Sequence, residues 1–264
     1  MTYDASAGGG FEAVSHFATQ DGRLKASIHS FVIETPARRI VVDTALGSHK
    51  RGRPVEAWNN LRPPLLNRLT ESGFPPEPID TVLFTHLHMD HVGWNTHLVD
   101  GVWVAPFTNS RHLIVAGDLD HWRRYAETAT GGMRLAYAAA FADSVRPVLD
   151  AGLVDTVGSN HAISDEVRLI STPGHTAGHV SVETASAGER AVITGDSIHH
   201  PCQLAHPEWT SADDLDAEQA VRTRRELLSA LAYDQALLIG THFAGPTAGR
   251  VLRDGESFRL RIDD

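Results

Sequence analysis

The chain has 264 residues, 42% of them hydrophobic, enough to bury one large core or two small ones, which excludes a peptide scaffold or a disordered tail. Its 33 acidic residues outnumber 23 basic ones, for a formal charge of -10, and no Lys/Arg-rich run exceeds three residues. A phosphate-tracking surface is therefore not expected, and nucleic acid is set aside as a partner. Cys202 is the sole cysteine, so an intrachain disulfide and a thiolate metal cage are both excluded. No apolar stretch approaches the roughly 18 residues that span a bilayer, and the N-terminus lacks a basic segment followed by an apolar run, so a cytoplasmic protein with no membrane partner is the expectation.

In chain order, residues 1–23 read as an arm and residues 24–264 as one domain. Strand-like runs at Ile28 to Glu34 and Arg39 to Thr44 flank the turn Thr35-Pro36-Ala37-Arg38 and predict a hairpin. The Gly/Arg-rich stretch Gly47 to Trp58 reads as a surface loop. Pro63-Pro64 opens a helix with Leu65, Leu66 and Leu69 on one face, closed by Gly73, before a buried strand at Thr81 to Thr85. A strand at Arg111 to Val115, helices at Asp118 to Ala126 and Arg134 to Phe141, and strands at Val167 to Ser171, Val180 to Thr184 and Ala191 to Thr194 follow. Asp216 caps a helix whose apolar stripe includes Ala217, Ala220, Val221, Leu227, Leu228 and Leu231, and Leu237 to Gly240 is a strand. Strands recur throughout with helices between them, which predicts a layered α/β domain.

Sixteen histidines are the unusual number, because neutral imidazole is the commonest metal ligand in proteins. The segment Thr85-His86-Leu87-His88-Met89-Asp90-His91 follows the apolar run Val82-Leu83-Phe84. In extended chain, His86 and His88 point to one side and can grip one ion; a turn into a short helix lets Asp90 and His91 reach a second. Further candidates stand at strand ends: His175 after Gly174, which permits a tight backbone, Asp196 after Gly195, and His242 after Thr241. His16, His29, His49, His97, His112, His121, His161 and His206 have no ligand-like partner in sequence and read as structural or solvated.

With H-x-H-x-D-H at His86 to His91, G-H at Gly174-His175, G-D at Gly195-Asp196 and the late His242, the chain resembles the metallo-β-lactamase fold superfamily from about Ile28 onward. The resemblance implies a four-layer αβ/βα sandwich. It gives His86, His88 and His175 to one ion and Asp90, His91 and His242 to the other, with Asp196 bridging, and places Asp43 of Val42-Asp43-Thr44 behind the site. It also implies that His179 supports the ligand residues from behind and is not itself a ligand. Nitrogen and carboxylate donors suit two Zn²⁺ per chain, with Fe, Mn or Co as alternatives in one site. Val92-Gly93-Trp94-Asn95-Thr96, Gly195 to Pro201 and Glu208-Trp209 look like the group containing acyl-homoserine-lactone lactonases and methyl parathion hydrolase.

The resemblance implies a dinuclear hydrolase in which a bridging hydroxide cleaves an ester or lactone of a small molecule, with Asp90 orienting the nucleophile. His199 stands where the lactonases usually place a substrate-contacting tyrosine, and is expected to hydrogen-bond or protonate a departing oxygen. Trp94, His200, Trp209 and Phe243 are the candidate pocket residues, and Cys202 reads as a buried small residue. Phosphotriesters and aryl esters are the alternative substrates. A glyoxalase II thioesterase is less favoured, since Arg222 to Arg225 reads as the polar face of an amphipathic helix; a β-lactamase is less favoured because of Asp196, a flavodiiron protein because His88 stands where that family carries Glu, and a metal-stabilised binding module comes last. A homodimer is expected on the resemblance alone.

Overall fold

A computed structural model describes residues 17–19 and 23–262, and its contacts separate into two units. One runs from Ile28 to Gly158; the other joins the described residues up to Ser27 with the chain from Ser159 onward. Most of the arm expected over residues 1–23 lies outside the described residues.

The first unit is built on a five-stranded sheet. Strands β1 (Phe31–Glu34) and β2 (Arg39–Val42) form the expected hairpin, closed by Thr35 N–H donating to the Arg38 carbonyl at 2.9 Å. Strands β3 (Thr81–Leu83), β6 (Arg111–Val115) and β7 (Val154–Val157) extend the sheet from β2 in parallel, in the order β1-β2-β3-β6-β7. Helix α1 (Leu65–Glu71) follows Pro64 as its composition predicts. Helices α2 (Ala116–Glu127) and α3 (Met133–Ala140), a π-helical turn at Phe141–Val145 and α4 (Arg146–Asp150) lie between β6 and β7. Val41, Val82, Phe84, Ile114, Leu119, Trp122 and Phe141 meet in one apolar core. β4 (His97–Val99) and β5 (Val102–Val104) form a separate hairpin outside that sheet.

The second unit carries a six-stranded sheet in the order β13-β12-β11-β10-β9-β8: β8 (Val167–Ser171), β9 (Val180–Ser186), β10 (Glu189–Ile193), β11 (Leu237–Ile239), β12 (Ala248–Asp254) and β13 (Ser257–Arg261). Only β10 and β11 pair in parallel. Short helix α5 (Cys202–Ala205) and the 18-residue α6 (Ala217–Asp234) complete it. Asp216 caps α6 as predicted, its carboxylate accepting from Gln219 N–H at 2.9 Å, and Leu227, Leu228 and Leu231 pack against Val192, Leu238 and Val251.

Three expectations are corrected. Strands predicted to end at Thr44 and Thr85 stop at Val42 and Leu83. Asp43 turns to φ +56°, a left-handed conformation that Asp tolerates, and Thr85 folds over to meet its carboxylate. The stretch Gly47 to Trp58 is not a simple surface loop: Lys50 and Arg53 have side chains 1% and 0% exposed. Both cations converge on Asp143 in the π-helical turn, Arg53 holding both carboxylate oxygens at 2.9 and 3.0 Å. The Lys50 ammonium donates to Thr96 Oγ1 at 2.6 Å and to the Asp143 carbonyl at 2.9 Å, and sits 3.7 Å from the centre of the Trp103 ring. In the second unit Arg224, inside the stretch read as a polar helix face, is 0% exposed and donates to the carbonyls of Ser197, Pro207 and Trp209.

A buried pair is costly to break on one side, because the remaining charge keeps its desolvation penalty. Asp143→Ala should therefore destabilise the fold by about 3–5 kcal/mol in urea unfolding. Burial pushes the Lys50 ammonium down to about 7, against the pull of Asp143 and with Arg53 adding repulsion; His97 is the other titratable group in its field. In the unfolded chain the same amine holds its proton up to 10.5, so between about pH 7 and 10.5 the unfolded state binds the extra proton and stability rises with pH. The excess stability of wild type over Lys50→Met should grow across that window and stay flat below it; a pH-independent difference would refute this account.

Candidate metal centre

In the first unit the candidate ligands leave the carboxyl end of β3, the end of parallel strands where ligands usually bind in such sheets. The loop is held by its neighbours at the ends of β2 and β6. Asp43 accepts from Thr85 N–H and Thr85 Oγ1, both at 2.8 Å, and from the His91 ring through Nδ1 at 2.9 Å. Asp118 in the first turn of α2 accepts from Leu87 N–H at 2.9 Å. The far end of the loop is clamped by close backbone approach: Thr44 N–H donates to the His91 carbonyl, Gly93 N–H to Ala45 and Trp94 N–H to Thr44. A Cβ at Gly93 would lie 2.0 Å from the Leu46 carbonyl carbon, so only glycine fits there. Asp43 thus stands directly behind a candidate ligand, the position the resemblance implied.

Those bonds fix the rings. With Thr85 donating to Asp43, the Thr85 oxygen is left to accept from His86 Nδ1 at 3.0 Å, while His91 Nδ1 is held by Asp43; in both rings Nε2 becomes the lone-pair nitrogen. His86 lies 4.6 Å from His88 and 4.0 Å from His91 between ring centres, and His88 packs against Trp122 and Tyr137. An Asp90 carboxylate oxygen is 3.9 Å from His91 Nε2. The structure brings His86, His88, Asp90 and His91 together.

In the second unit Asp196 follows β10 in a 3₁₀ turn, and three imidazoles face its carboxylate. His175 Nε2 is 3.4 Å and His199 Nε2 3.5 Å from Oδ2, and His242 Nε2 is 3.1 Å from Oδ1. Two of the three rings are held from behind: His175 Nδ1 donates to Asp214 at 2.8 Å, and His242 Nδ1 to the Ser27 carbonyl at 2.8 Å. Gly174, at φ +127°, lets the N-terminus of α6 press against the His175 turn; a Cβ there would lie 2.3 Å from Ala220 N. His179 gives the predicted support, its Nδ1 donating to Thr172 and its Nε2 accepting from Asp196 N–H at 2.9 Å.

These residues fit a divalent metal. Buried imidazoles present Nε2 toward a carboxylate while Nδ1 is tied to a carboxylate, hydroxyl or carbonyl, the arrangement that orients histidine ligands. The donor set is nitrogen and oxygen without sulfur, as zinc and its first-row neighbours accept.

Asp214 was not legible beforehand. It stands in Asp213-Asp214-Leu215-Asp216, of which Asp216 was read as the cap; its side chain is 0% exposed and also accepts from Ser211 N–H at 2.8 Å. Burial raises its pKa, but the hydrogen bond from His175 and the charges of His199 and His175 more than offset this and hold it below the usual range. His199 was expected to meet a departing oxygen, yet it is 0% exposed. Burial pushes its imidazole down to about 3, and its backbone N–H is held by Gln203 Oε1 at 2.8 Å.

The proposed pocket residues are scattered. Trp94 walls a groove with Leu66, Asn67, His97 and Leu98. His200 is buried edge-on to Phe17, and burial pushes it down to about 4. Trp209 packs on Cys202 and stacks on His206, and Phe243 fills the second unit's core against Gly240. In Trp209 and Phe243, side chains expected in a cleft serve packing, because large aromatics contribute most of the apolar area available to a core. Cys202 is buried as predicted, its thiol pushed up to about 12 by burial. His112 proves structural, buried and bonded to Asn95 Oδ1.

The Metallo-beta-lactamase superfamily profile matches residues 25–242. The chain belongs to the metallo-beta-lactamase superfamily. Among solved structures it is similar to the hydrolase AbOPH of the beta-lactamase superfamily, 25% identical with a TM-score of 0.79 over 96% of this chain and 87% of that one. It also shares the fold of AidC, a dizinc quorum-quenching lactonase, at 20% identity and a TM-score of 0.73 over 97% and 87% of the two chains. A probable metallo-hydrolase of Mycobacterium tuberculosis is 26% identical over 183 residues, 65% of this chain. That match spans 57% of the relative's length. Among the described residues no helix is long and apolar enough to cross a membrane. This superfamily member should depend on Asp214 for its metal: Asp214→Ala should weaken zinc binding by about 10–100-fold in chelator competition, whereas unchanged affinity would show that His175 needs no such partner.

Proposed function

We propose that the protein is a metal-dependent hydrolase with two divalent ions, most simply zinc, held by His86, His88, Asp90 and His91 together with His175, Asp196 and His242, and that it opens an ester or lactone of a small molecule. The observation that carries this reading is the convergence of His175 and His242 Nε2 on the two oxygens of Asp196, each ring anchored through Nδ1. A carboxylate shared between two ions would need other donors close by on both sides, and these two rings would supply them. The family profile runs through both ligand sets in one match, which supports their joint use.

When bound, divalent ions would supply Lewis acidity, polarising the carbonyl oxygen under attack and bringing the ionisation of water from 15.7 toward roughly 7. The chain's own contribution is orientation. Asp43 and Thr85 keep the His91 and His86 lone pairs forward, Asp214 and the Ser27 carbonyl do the same for His175 and His242, and Asp90, 3.9 Å from His91 Nε2, would orient the attacking water. Lactone hydrolysis releases one carboxylic acid per turnover, so it can be followed without a chromophore. The similarity to AidC and to other structures of N-acyl homoserine lactone hydrolases supports a lactone as the first substrate to try.

Zinc-loaded protein given N-hexanoyl-homoserine lactone at constant pH should release protons, and His86→Ala or Asp196→Ala should reduce the rate to background. Wild-type rates in either variant would sink the metal-centre scheme. Turnover of aryl esters or phosphotriesters in place of the lactone would keep the centre and change the substrate.

A further inference from the structure

His199 belongs to none of the ligand positions that the H-x-H-x-D-H, G-H and G-D motifs supply, and its environment is unusual. The side chain is completely buried, yet among the described residues neither ring nitrogen has a hydrogen-bond partner. Leaving both polar atoms of a buried imidazole unsatisfied is costly unless something else meets them. The ring is not loosely held: His199 N–H is fixed by Gln203 Oε1, whose amide donates to the Trp209 carbonyl, and Arg224 ties Ser197 and Trp209 together through their carbonyls. This frame aims Nε2 at Asp196 Oδ2, the same oxygen that His175 Nε2 faces.

The distances discriminate between roles. At 3.5 Å, His199 Nε2 and Asp196 Oδ2 are at the outer limit of a hydrogen bond. Two ligands each about 2.0–2.2 Å from a shared five-coordinate ion stand about 2.8–3.8 Å apart at angles of about 90–120°. His175 and His199, at 3.4 and 3.5 Å from one oxygen, both meet that spacing, and their rings cross edge to face with centres 4.7 Å apart, so neither blocks the other's lone pair. We infer that His199 is an additional metal ligand, binding through Nε2 the ion that His175 and Asp196 Oδ2 also hold. A ring with no exposed surface is poorly placed to meet substrate but well placed to fill a coordination position. The assignment rests on the dinuclear reading and deepens it: one ion receives a further imidazole, and its coordination shell has less room for solvent or substrate than its neighbour's.

The test uses the full chain loaded with two equivalents of Co²⁺, whose paramagnetism shifts the exchangeable N–H protons of ligated imidazoles far downfield in the proton NMR spectrum. Wild type should show six such signals, from His86, His88, His91, His175, His242 and His199. His199→Phe should lose one, and its weaker site should release Co²⁺ to a competing chelator with at least tenfold lower affinity. Two bound ions with only five signals in wild type, a count that needs no variant, would overturn the assignment while leaving the dinuclear centre intact. Unchanged Co²⁺ affinity in both His199→Phe and His199→Asn would also overturn it. Failure of wild type to take up two ions would remove the dinuclear reading itself.

Discussion

An imidazole offers two nitrogens, and it serves as a well-defined metal ligand only when the protein has disposed of one of them. The candidate centre depends on this constraint. His91 gives Nδ1 to Asp43, His86 to Thr85, His175 to Asp214 and His242 to the Ser27 carbonyl, so the lone pair of each ring is committed to Nε2. Thr85 shows how economically this is done: its hydroxyl donates to Asp43 and so has only an acceptor left for His86. A single carboxylate, Asp43, therefore sets the tautomer of two rings, one directly and one through a hydroxyl. Its left-handed backbone places both oxygens where the β3 loop can reach them.

Orientation of this quality requires loops that do not wander, and each unit supplies a buried cation for the purpose. Arg224 reaches from α6 to three carbonyls of the segment that carries His199 and precedes Asp214. Lys50 and Arg53 bind the stretch after β2 to Asp143, while Asn95, just beyond the metal loop, donates to the Ser144 carbonyl and engages His112. Buried charges are not an efficient source of stability, since their desolvation largely cancels the attraction. What they give is a single acceptable geometry, because any rearrangement strands a charge in a dry environment. Precise support around a ligand set is where such specificity is most useful.

Much of this was legible in the sequence, and most of the remainder is set by residues far apart in the chain. Candidate ligands that follow an apolar strand, the cap at Asp216, the Pro-initiated helix at Leu65 and the need for glycine at position 174 are encoded within a few residues, and the cap, the helix and the glycine are found where the local pattern puts them. The missed features are encoded by partners distant in the chain. Lys50 and Arg53 look like surface cations until Asp143 is seen beside them, Arg224 looks like part of a solvated helix face until three carbonyls surround it, and the Nδ1 acceptor of His242 is a backbone atom 215 residues earlier. Trp209 and Phe243 were misplaced for a related reason, since an aromatic near a site in sequence is consistent with either a cleft or a core. The short strands β4 and β5 lie outside the main sheets, with Leu98, Val99, Val102 and Val104 exposed, so burial leaves no alternating signature there.

The departure from the lactonase pattern at position 199 has a structural logic. A tyrosine hydroxyl extends well beyond its ring and can reach out from a buried stem to a substrate. Imidazole is shorter and carries its polar atoms within the ring, so the same backbone position keeps those atoms inside the protein. In this chain the backbone is further pinned by Gln203 and Arg224, and the ring lies parallel to His242 and across His175. With an imidazole at this position, the polar atoms of residue 199 stay inside the protein. In the hydrolysis proposed above, stabilisation of a departing oxygen would then have to come from groups other than residue 199, whose ring has no exposed surface.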